Sequence, residues 1–250
     1  MFKNGFNIES ALWRVLGFVG DLAILNLLFI LTSLPVFTIG ASVTALSSVQ
    51  FRMIEKRSGR VAGDYFRAFR ENFKASTVLW LVYLVFLAIC VLNFLAVYNT
   101  NPENRNVIMV VLGIALFFVT MVEMYSLAMQ ARFVNSLKDT VVKAFLVGLS
   151  GLPYTIVMVL VIIAAVGVSV RTYTAMLFAF PIWLVLGFSL IGYLCNLMYL
   201  RVFHKVTAKQ DLPEKTIFDA PERENYRSGD RRRSLKRREK EAKMAERKKK

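Results

Sequence analysis

The stretch ASTVLWLVYLVFLAICVLNFLAVY, residues 75–98, holds 24 consecutive residues without a charge. As an α-helix it would be about 36 Å long, which exceeds the roughly 30 Å thickness of a bilayer's hydrocarbon layer. Backbone N–H groups in lipid must find partners within their own segment, so the stretch predicts a helix rather than an open strand. Four more apolar runs follow the same pattern: Val15–Leu34, Val107–Ala131, Ala144–Val170 and Thr172–Leu200. The five runs predict an all-α, polytopic transmembrane helix bundle.

The composition of the 250-residue chain points the same way. Hydrophobic residues make up 56% of the chain, charged residues make up 20%, and the mean hydropathy is +0.50. Soluble chains hold about 45–50% apolar and about 25% charged residues. Disordered chains contain too few apolar residues to form a packed core. The composition therefore excludes a disordered protein and argues against an ordinary soluble domain.

A sixth segment, Val36–Phe51, is free of charge but short, and it is rich in small and hydroxylated residues. As a helix it would be about 24 Å long, which is less than a lipid-exposed span needs. Pro35 and Gly40 would separate it from the first helix, and small residues at helical spacing would let neighbouring helices approach closely. We expect a short span inside the bundle, which brings the total to six. A re-entrant or surface segment is the alternative.

Basic residues are distributed unevenly between the connections. Residues 52–74 hold seven of them, whereas the loop 99–106 holds only Arg105, offset by Glu103. Three more follow the third long run: Arg132, Lys138 and Lys143. Because cytoplasmic loops carry the excess of lysine and arginine, these segments and the basic C-terminus are predicted to be cytoplasmic. Six spans also place the N-terminus, with Lys3 and Arg14, in the cytoplasm, whereas five would leave it outside.

Five polar side chains fall in or near the cytoplasmic half of the predicted spans: Asp21, Asn26, Glu123, Gln130 and Asn196. A charge at the centre of a membrane helix costs about 2.5–3.5 kcal/mol or more, so Asp21 and Glu123 are expected to face the bundle interior and to have partners. With six spans both lie roughly 9–12 Å from the cytoplasmic side. The functional interpretation is a proton or cation site. The alternative is hydrogen bonding between helices, or carboxyls kept neutral by the low dielectric.

The stretch Asp64–Lys74 has the spacing of an amphipathic helix. Three aromatic residues recur at i, i+3 and i+7, and three cations follow one position later: Phe66, Phe69, Phe73, Arg67, Arg70 and Lys74. With Asp64 as its N-cap, this helix is predicted to lie in the membrane interface with its rings at headgroup depth. It would either dock a partner at the cytoplasmic face or only anchor the next span. Residues 132–145 repeat the pattern more weakly.

Two prolines, Pro153 and Pro181, lie inside the fourth and fifth long runs. Each removes a backbone donor, so each is expected to kink its helix. Broken helices line the binding sites of transporters, although kinks also occur in inert bundles.

Three stretches carry a resemblance to a known family. They are NLL (26–28) with SLPVFTIGA (33–41), then DYFRAFRENFK (64–74), and then ARF (131–133) with LK (137–138) and KAF (143–145). Over roughly residues 5–204 the chain resembles the YesL-like family of bacterial integral membrane proteins, a domain family of unknown function, and LPVFTIG is the most specific part. The resemblance implies a location in the bacterial cell membrane and an association with carbohydrate uptake systems, whose ABC-type transporter subunits are the expected partners. It supplies no catalytic residue.

The chain is predicted to divide into a transmembrane domain (1–204), a cytoplasmic linker (205–227) and a basic cytoplasmic tail (228–250). The tail has few apolar residues and several i, i+4 ion pairs, which predicts disorder or a single solvated helix. Its basic triplets are candidate contacts for anionic lipids or a partner: Arg231, Arg232, Arg233, Lys236, Arg237 and Arg238. A solvated tail that only fixes topology is the alternative. Nucleic-acid binding is not expected, because no aromatic residue lies among these cations to stack a base.

No pattern in the sequence indicates a reaction. Cys90 and Cys195 lie in apolar runs and form neither a disulfide framework nor a redox pair, and His204 is the single histidine. Neither a phosphate-binding glycine loop nor a dinucleotide fingerprint occurs. We therefore expect no metal and no cofactor, and predict a non-enzymatic accessory or regulatory membrane protein serving carbohydrate uptake. The alternative is a small-solute transporter or channel built on Asp21 and Glu123.

Overall fold

The structure, a computed structural model, describes residues 8–55, 59–100, 103–133 and 136–207. The regular structure of these ranges is helical: α1 (Ile8–Ser33), α2 (Ile39–Ile54), α3 (Val61–Thr100), α4 (Arg105–Arg132), α5 (Leu137–Ser150), α6 (Leu152–Val170), α7 (Tyr173–Ile182) and α8 (Phe188–Thr207). A 3-10 turn, Val36–Thr38, precedes α2, and a π-helical turn, Trp183–Gly187, joins α7 to α8. The predicted all-α helix bundle is confirmed.

Five segments of the described chain are long and apolar enough to cross a membrane: Val15–Ser33, Val61–Thr100, Arg105–Arg132, Leu152–Val170 and Ala179–Lys205. Their outward faces are apolar, as shown by Val85 on α3 and Leu160 on α6, which are 60% and 58% exposed. Soluble monomers rarely expose apolar patches larger than a few hundred Å². Lipid is the solvent that matches these faces, so the protein is an integral membrane protein.

One end of the bundle gathers several helix termini. Helix α1 runs antiparallel to α8, because the ring of Phe18 packs on Tyr193 while Asn26, further along α1, contacts Ser189, which comes earlier in α8. The start of α1 and the end of α8 therefore lie at the same end. Three pairs bring the end of α2, the start of α3 and the end of α4 there as well: Arg52 with Asp64, Glu55 with Arg132, and Phe133 with Phe203. We call this the basic end.

Helix α2 lies inside the bundle and is buried along most of its length. Glycine at position 40 permits this, because a Cβ there would lie 2.5 Å from the Cβ of Trp80 and 2.6 Å from the carbonyl oxygen of Ser76. Helix α2 returns the chain from the far end of α1 to the basic end, where α3 begins. The short segment is thus packed inside the bundle as expected, although its 16 residues keep it out of the five long spans. A full sixth crossing stays a prediction.

Several carbonyl oxygens of the turn between α1 and α2 are paired, partly within the turn and partly by α3. Thr38 donates through its hydroxyl to the carbonyl oxygens of Thr32 and Pro35, at 2.6 Å each, and Ser42 donates to the carbonyl of Thr38. The indole N–H of Trp80 donates to the carbonyl of Val36 at 2.8 Å. The apolar side chains of the turn, among them Leu34, point outward and are exposed. The turn therefore combines an apolar outer surface with paired carbonyls.

Three details of the predicted elements are wrong. Residues 64–74 are not a separate interfacial helix but part of the first turns of α3, which begins at Val61, so Asp64 is not an N-cap and pairs with Arg52 instead. The predicted span 144–170 is divided at Gly151 between α5 and α6, where a Cβ would lie 2.7 Å from the hydroxyl oxygen of Tyr125. Pro153 accordingly lies in the first turn of α6, where its missing N–H costs nothing, and makes no kink there.

The C-terminal part of the chain is outside this description. Helix α8 continues to Thr207, three residues past the predicted end of the transmembrane domain. The rest of the predicted linker and the whole basic tail, with its candidate contact residues, lie outside the described residues: Arg231, Arg232, Arg233, Lys236, Arg237 and Arg238.

Candidate functional site

Asn26, one of the predicted polar residues, binds the π-helical turn of the last helical segment. Its side-chain amide donates to the carbonyl oxygens of Trp183 and Leu184, at 3.0 and 2.7 Å, and its Oδ1 accepts from the backbone N–H of Ser189 at 2.9 Å. A π-helical turn disturbs the regular ladder of backbone hydrogen bonds, and Pro181, just before it, has no N–H to donate. Asn26 therefore supplies partners that the irregular backbone lacks.

A pair of buried side-chain amides, Gln50 and Asn196, joins α2 to α8. The side chain of Asn196 donates to Oε1 of Gln50 at 2.8 Å, and Nε2 of Gln50 donates to the carbonyl oxygen of Ser189 at 2.7 Å. Gln50 is fully buried. The sequence reasoning missed Gln50, although it is the only amide in the charge-free segment 36–51 and could have been found on that ground.

Glu123 on α4 occupies the most unusual position of the predicted residues. It is 8% exposed, and its Oε1 has no hydrogen-bond partner within the described residues. The side chain lines two cavities of about 320 and about 300 Å³, and Tyr83 of α3 also lines both. The smaller cavity lies among α3, α4 and α5, and its walls are almost entirely apolar. Glu123 thus lies between two mainly apolar spaces, and neither lysine nor arginine is among the described residues that line them.

The larger space, which we call the Glu123 cavity, is bounded by α1, α2, α3, α4, α6 and α8. Asn196 lines it with an Oδ1 that has no partner among the described residues. The hydroxyls of Tyr83 and Thr120 lie 3.2 Å apart at its wall. Five aromatic side chains also line it: Phe29, Trp80, Tyr83, Phe188 and Tyr199. A carboxyl, an amide oxygen and several aromatic side chains therefore surround a space of ligand size.

The other predicted residues of the polar group lie elsewhere. Asp21 is half-buried on α1 and lines neither cavity. Gln130 is buried on α4, one turn before the basic end, and also lines neither cavity. The structure therefore joins Glu123 with Asn196 in one site, and not with Asp21 as predicted.

The predicted interfacial residues lie on the first turns of α3. Arg70 and Lys74 are exposed, Phe66 is 45% exposed, and the rings of Phe69 and Phe73 pack on each other at 5.4 Å between centroids. Arg67, which follows Phe66 in the chain, is half-buried. The bundle-facing side of this segment belongs to other residues, led by Tyr65, Ala68 and Asn72. The hydroxyl of Tyr65 lies 2.6 Å from that of Thr32, a contact between α1 and α3 that the sequence pattern did not predict.

Metal-binding chemistry has no visible basis in the part of the chain that the structure describes. Histidine, cysteine, aspartate and glutamate side chains form no group of three or more there that would hold a metal ion. The two cysteines are unpaired, and Cys195 lies in the wall of the Glu123 cavity.

Comparison with known proteins places part of the chain near one family. A family model described as "Protein of unknown function, DUF624" matches residues 22–94, a range that runs from within α1 through α2 and most of α3. No curated protein and no solved structure matches the chain. The matched range includes Asn26, the glycine contact at Gly40 and Gln50, and it ends before Glu123. Over residues 22–94 the protein is thus similar to a family whose function is not defined.

Proposed function

We propose that the protein is a non-enzymatic accessory or regulatory component of the bacterial cell membrane, with both termini in the cytoplasm. Following its resemblance to the YesL-like family, it serves a carbohydrate uptake system and contacts an ABC-type transporter subunit. Its other surroundings are the lipid bilayer and, at the tail, anionic lipids. The observation that carries the docking part of the proposal is the length of α3.

Helix α3 is much longer than a membrane crossing requires. Its 40 residues make a helix of about 60 Å, whereas the hydrocarbon layer is roughly 30 Å thick. Its charge-free part begins at Ala75, so we take residues 61–74, which pack one side on the bundle through Tyr65, as an extension at the basic end. This extension presents Phe66 beside the exposed cations Arg70 and Lys74. An exposed aromatic ring with flanking cations is a suitable surface for an acidic partner, since aromatic residues are enriched at protein interfaces and complementary charge steers association.

Affinity purification of the full chain from its native membrane tests this proposal. We expect transporter subunits to be recovered with the wild-type protein, and the double variant Arg70→Glu, Lys74→Glu to lose most of them. The matched control is Lys138→Glu, which reverses an exposed charge at the start of α5 instead. Failure to recover any transporter subunit, or equal recovery with both variants, would contradict the proposal.

The second candidate function is transport of a small solute through the bundle. The specific observation that favours it is Glu123, a buried carboxyl lining two cavities without a partner among the described residues. Ionisable residues inside membranes mark substrate and ion pathways. Protein reconstituted into liposomes would show substrate-dependent flux that Glu123→Gln abolishes. An accessory protein would show no flux.

A further inference from the structure

The Glu123 cavity combines three features that together point to one class of ligand. The first is the buried carboxyl of Glu123, whose Oε1 has no partner among the described residues. The second is the set of aromatic side chains in the wall, Phe29, Trp80, Tyr83 and Phe188. The third is an otherwise apolar wall formed by residues such as Val43 and Ile162. Each feature excludes some ligands, and together they leave few.

The carboxyl determines the sign of the ligand's charge. A carboxylate in an apolar, membrane-embedded space costs several kcal/mol unless it takes up a proton or an opposite charge lies beside it, and the side chains lining this cavity include no lysine or arginine. A cationic ligand would remove that cost, whereas an anion would add to it. Aromatic ring faces strengthen the preference, because their quadrupole attracts a cation within about 6 Å of the ring centre.

The wall determines the chemical nature of the cation. A divalent metal ion prefers about six to eight oxygen ligands, and this wall offers mainly carbon. A sugar has a hydroxyl on nearly every carbon, and these would lose their hydrogen bonds to water against an apolar wall. An organic cation carries its charge on an apolar body, so the charge can pair with the Glu123 carboxylate while the body contacts the apolar wall. The volume of about 320 Å³ lies at the lower end of the roughly 300–1,000 Å³ typical of small-molecule sites, which suits a small alkylammonium ion.

We propose that the Glu123 cavity binds a monovalent organic cation with an apolar body, of the alkylammonium class. Glu123 supplies the counter-charge, Trp80 and Tyr83 supply ring faces, and the free Oδ1 of Asn196 accepts a hydrogen bond when the ligand carries an N–H. The proposal uses the same site as the second candidate function, but it concerns binding alone. It holds whether the cation is carried across the membrane or acts as a regulatory ligand.

Calorimetric titration of the purified full chain in detergent with tetrapropylammonium chloride tests the proposal. We expect saturable binding to the wild-type protein and at least tenfold weaker binding to Glu123→Gln, which keeps the shape and removes the charge. The matched control is Glu103→Gln at the α3–α4 connection, where an exposed carboxylate is changed in the same way and the affinity should stay the same.

Two further variants separate the cavity from the fold. Val43→Phe fills the space and leaves the carboxyl in place, so it should also abolish binding, while Val85→Phe places the same ring on the exposed outer face of α3 and should bind normally. Each variant is first compared with the wild type by size-exclusion chromatography and circular dichroism. A wild-type protein without saturable binding, or a folded Glu123→Gln variant with unchanged affinity, would overturn the proposal.

Liposome flux distinguishes this inference from the transport function. Binding that depends on Glu123 without any flux of tetrapropylammonium would uphold the cation site and reject transport. Flux of an uncharged solute by a protein that does not bind tetrapropylammonium would uphold transport and reject the cation site.

Discussion

A single amide, Asn26, sustains the irregular backbone between α7 and α8. Its three hydrogen bonds reach two carbonyls and one N–H of a different helix. In the hydrocarbon layer no water can form hydrogen bonds with these groups, so they must be paired within the protein. Because one side chain satisfies all three, the residue acts as a fixed brace rather than as a ligand group.

Replacing Asn26 by leucine should therefore destabilise the protein. Leaving buried polar groups without partners costs about 1–3 kcal/mol. We expect a lower unfolding midpoint for Asn26→Leu, followed by circular dichroism during denaturation in detergent. Asn93→Leu is the matched control, because Asn93 is exposed on α3 and donates only to Ile89 in its own helix. An equal effect of the two changes would refute the assigned role of Asn26.

The sequence indicated which polar residues enter the membrane, but not which of them meet. Glu123 and Asn196 were both candidates, and both line the Glu123 cavity. Depth alone groups Asp21 with them, yet depth does not specify the direction in which a side chain points from its helix. Gln50 and Tyr65 were missed because their importance depends on partners in distant helices.

Among the elements, the contact between α2 and α3 depends on the absence of a side chain at position 40. The neighbouring atoms are a backbone oxygen of Ser76 and the Cβ of Trp80, neither of which can move without moving α3. Small residues let membrane helices approach in this way and gain dispersion contacts. The position of α2 inside the bundle follows from this close approach.

A methyl group at position 40 should consequently disrupt the bundle. We expect Gly40→Ala to lower the thermal stability or the yield of monodisperse protein, since an overpacked core costs about 1–3 kcal/mol. Gly113→Ala serves as the control, because a Cβ at that position of α4 meets nothing within 4 Å. If the two alanine variants were equally stable, close packing at Gly40 would be unimportant.

Hydropathy predicts where the apolar spans lie, but not where the helices begin and end. The charge-free run 75–98 lies within α3, yet the helix has 40 residues and begins at Val61, because the polar stretch before the run continues the same helix. The division at Gly151 was missed, since it reflects crowding by Tyr125 of α4 and Val202 of α8. Such crowding arises only after the chain has folded.

For the whole molecule, the distribution of charge agrees with the arrangement of the helices. The start of α1, the start of α3 and the ends of α2, α4 and α8 all lie at the basic end, and the connections rich in lysine and arginine begin or end there. The ion pairs of Arg52 and Arg132 connect the C-terminal end of α2 to α3 and to α4. Basic residues at one end of a bundle are the physical basis for its orientation.

This distribution predicts that the basic end faces the cytoplasm. In intact cells a cysteine replacing Glu103, on the loop between α3 and α4, should react with a membrane-impermeant maleimide. A cysteine replacing the exposed Arg60 should react only after the membrane is permeabilised. The background is a variant in which both native cysteines are serine. The reverse pattern of labelling would invert the orientation.

The hydroxyl groups of Thr32, Thr38 and Ser42 have a consequence for the biogenesis of the protein. Thr38 and Ser42 pair carbonyls within the turn, whereas the carbonyl of Val36 is paired by Trp80 of α3. The apolar tip of the turn, with Leu34 73% exposed, is compatible with acyl chains. The first two helices are therefore suited to insert together as a hairpin without a polar loop, and the turn is completed when Trp80 of α3 packs on it.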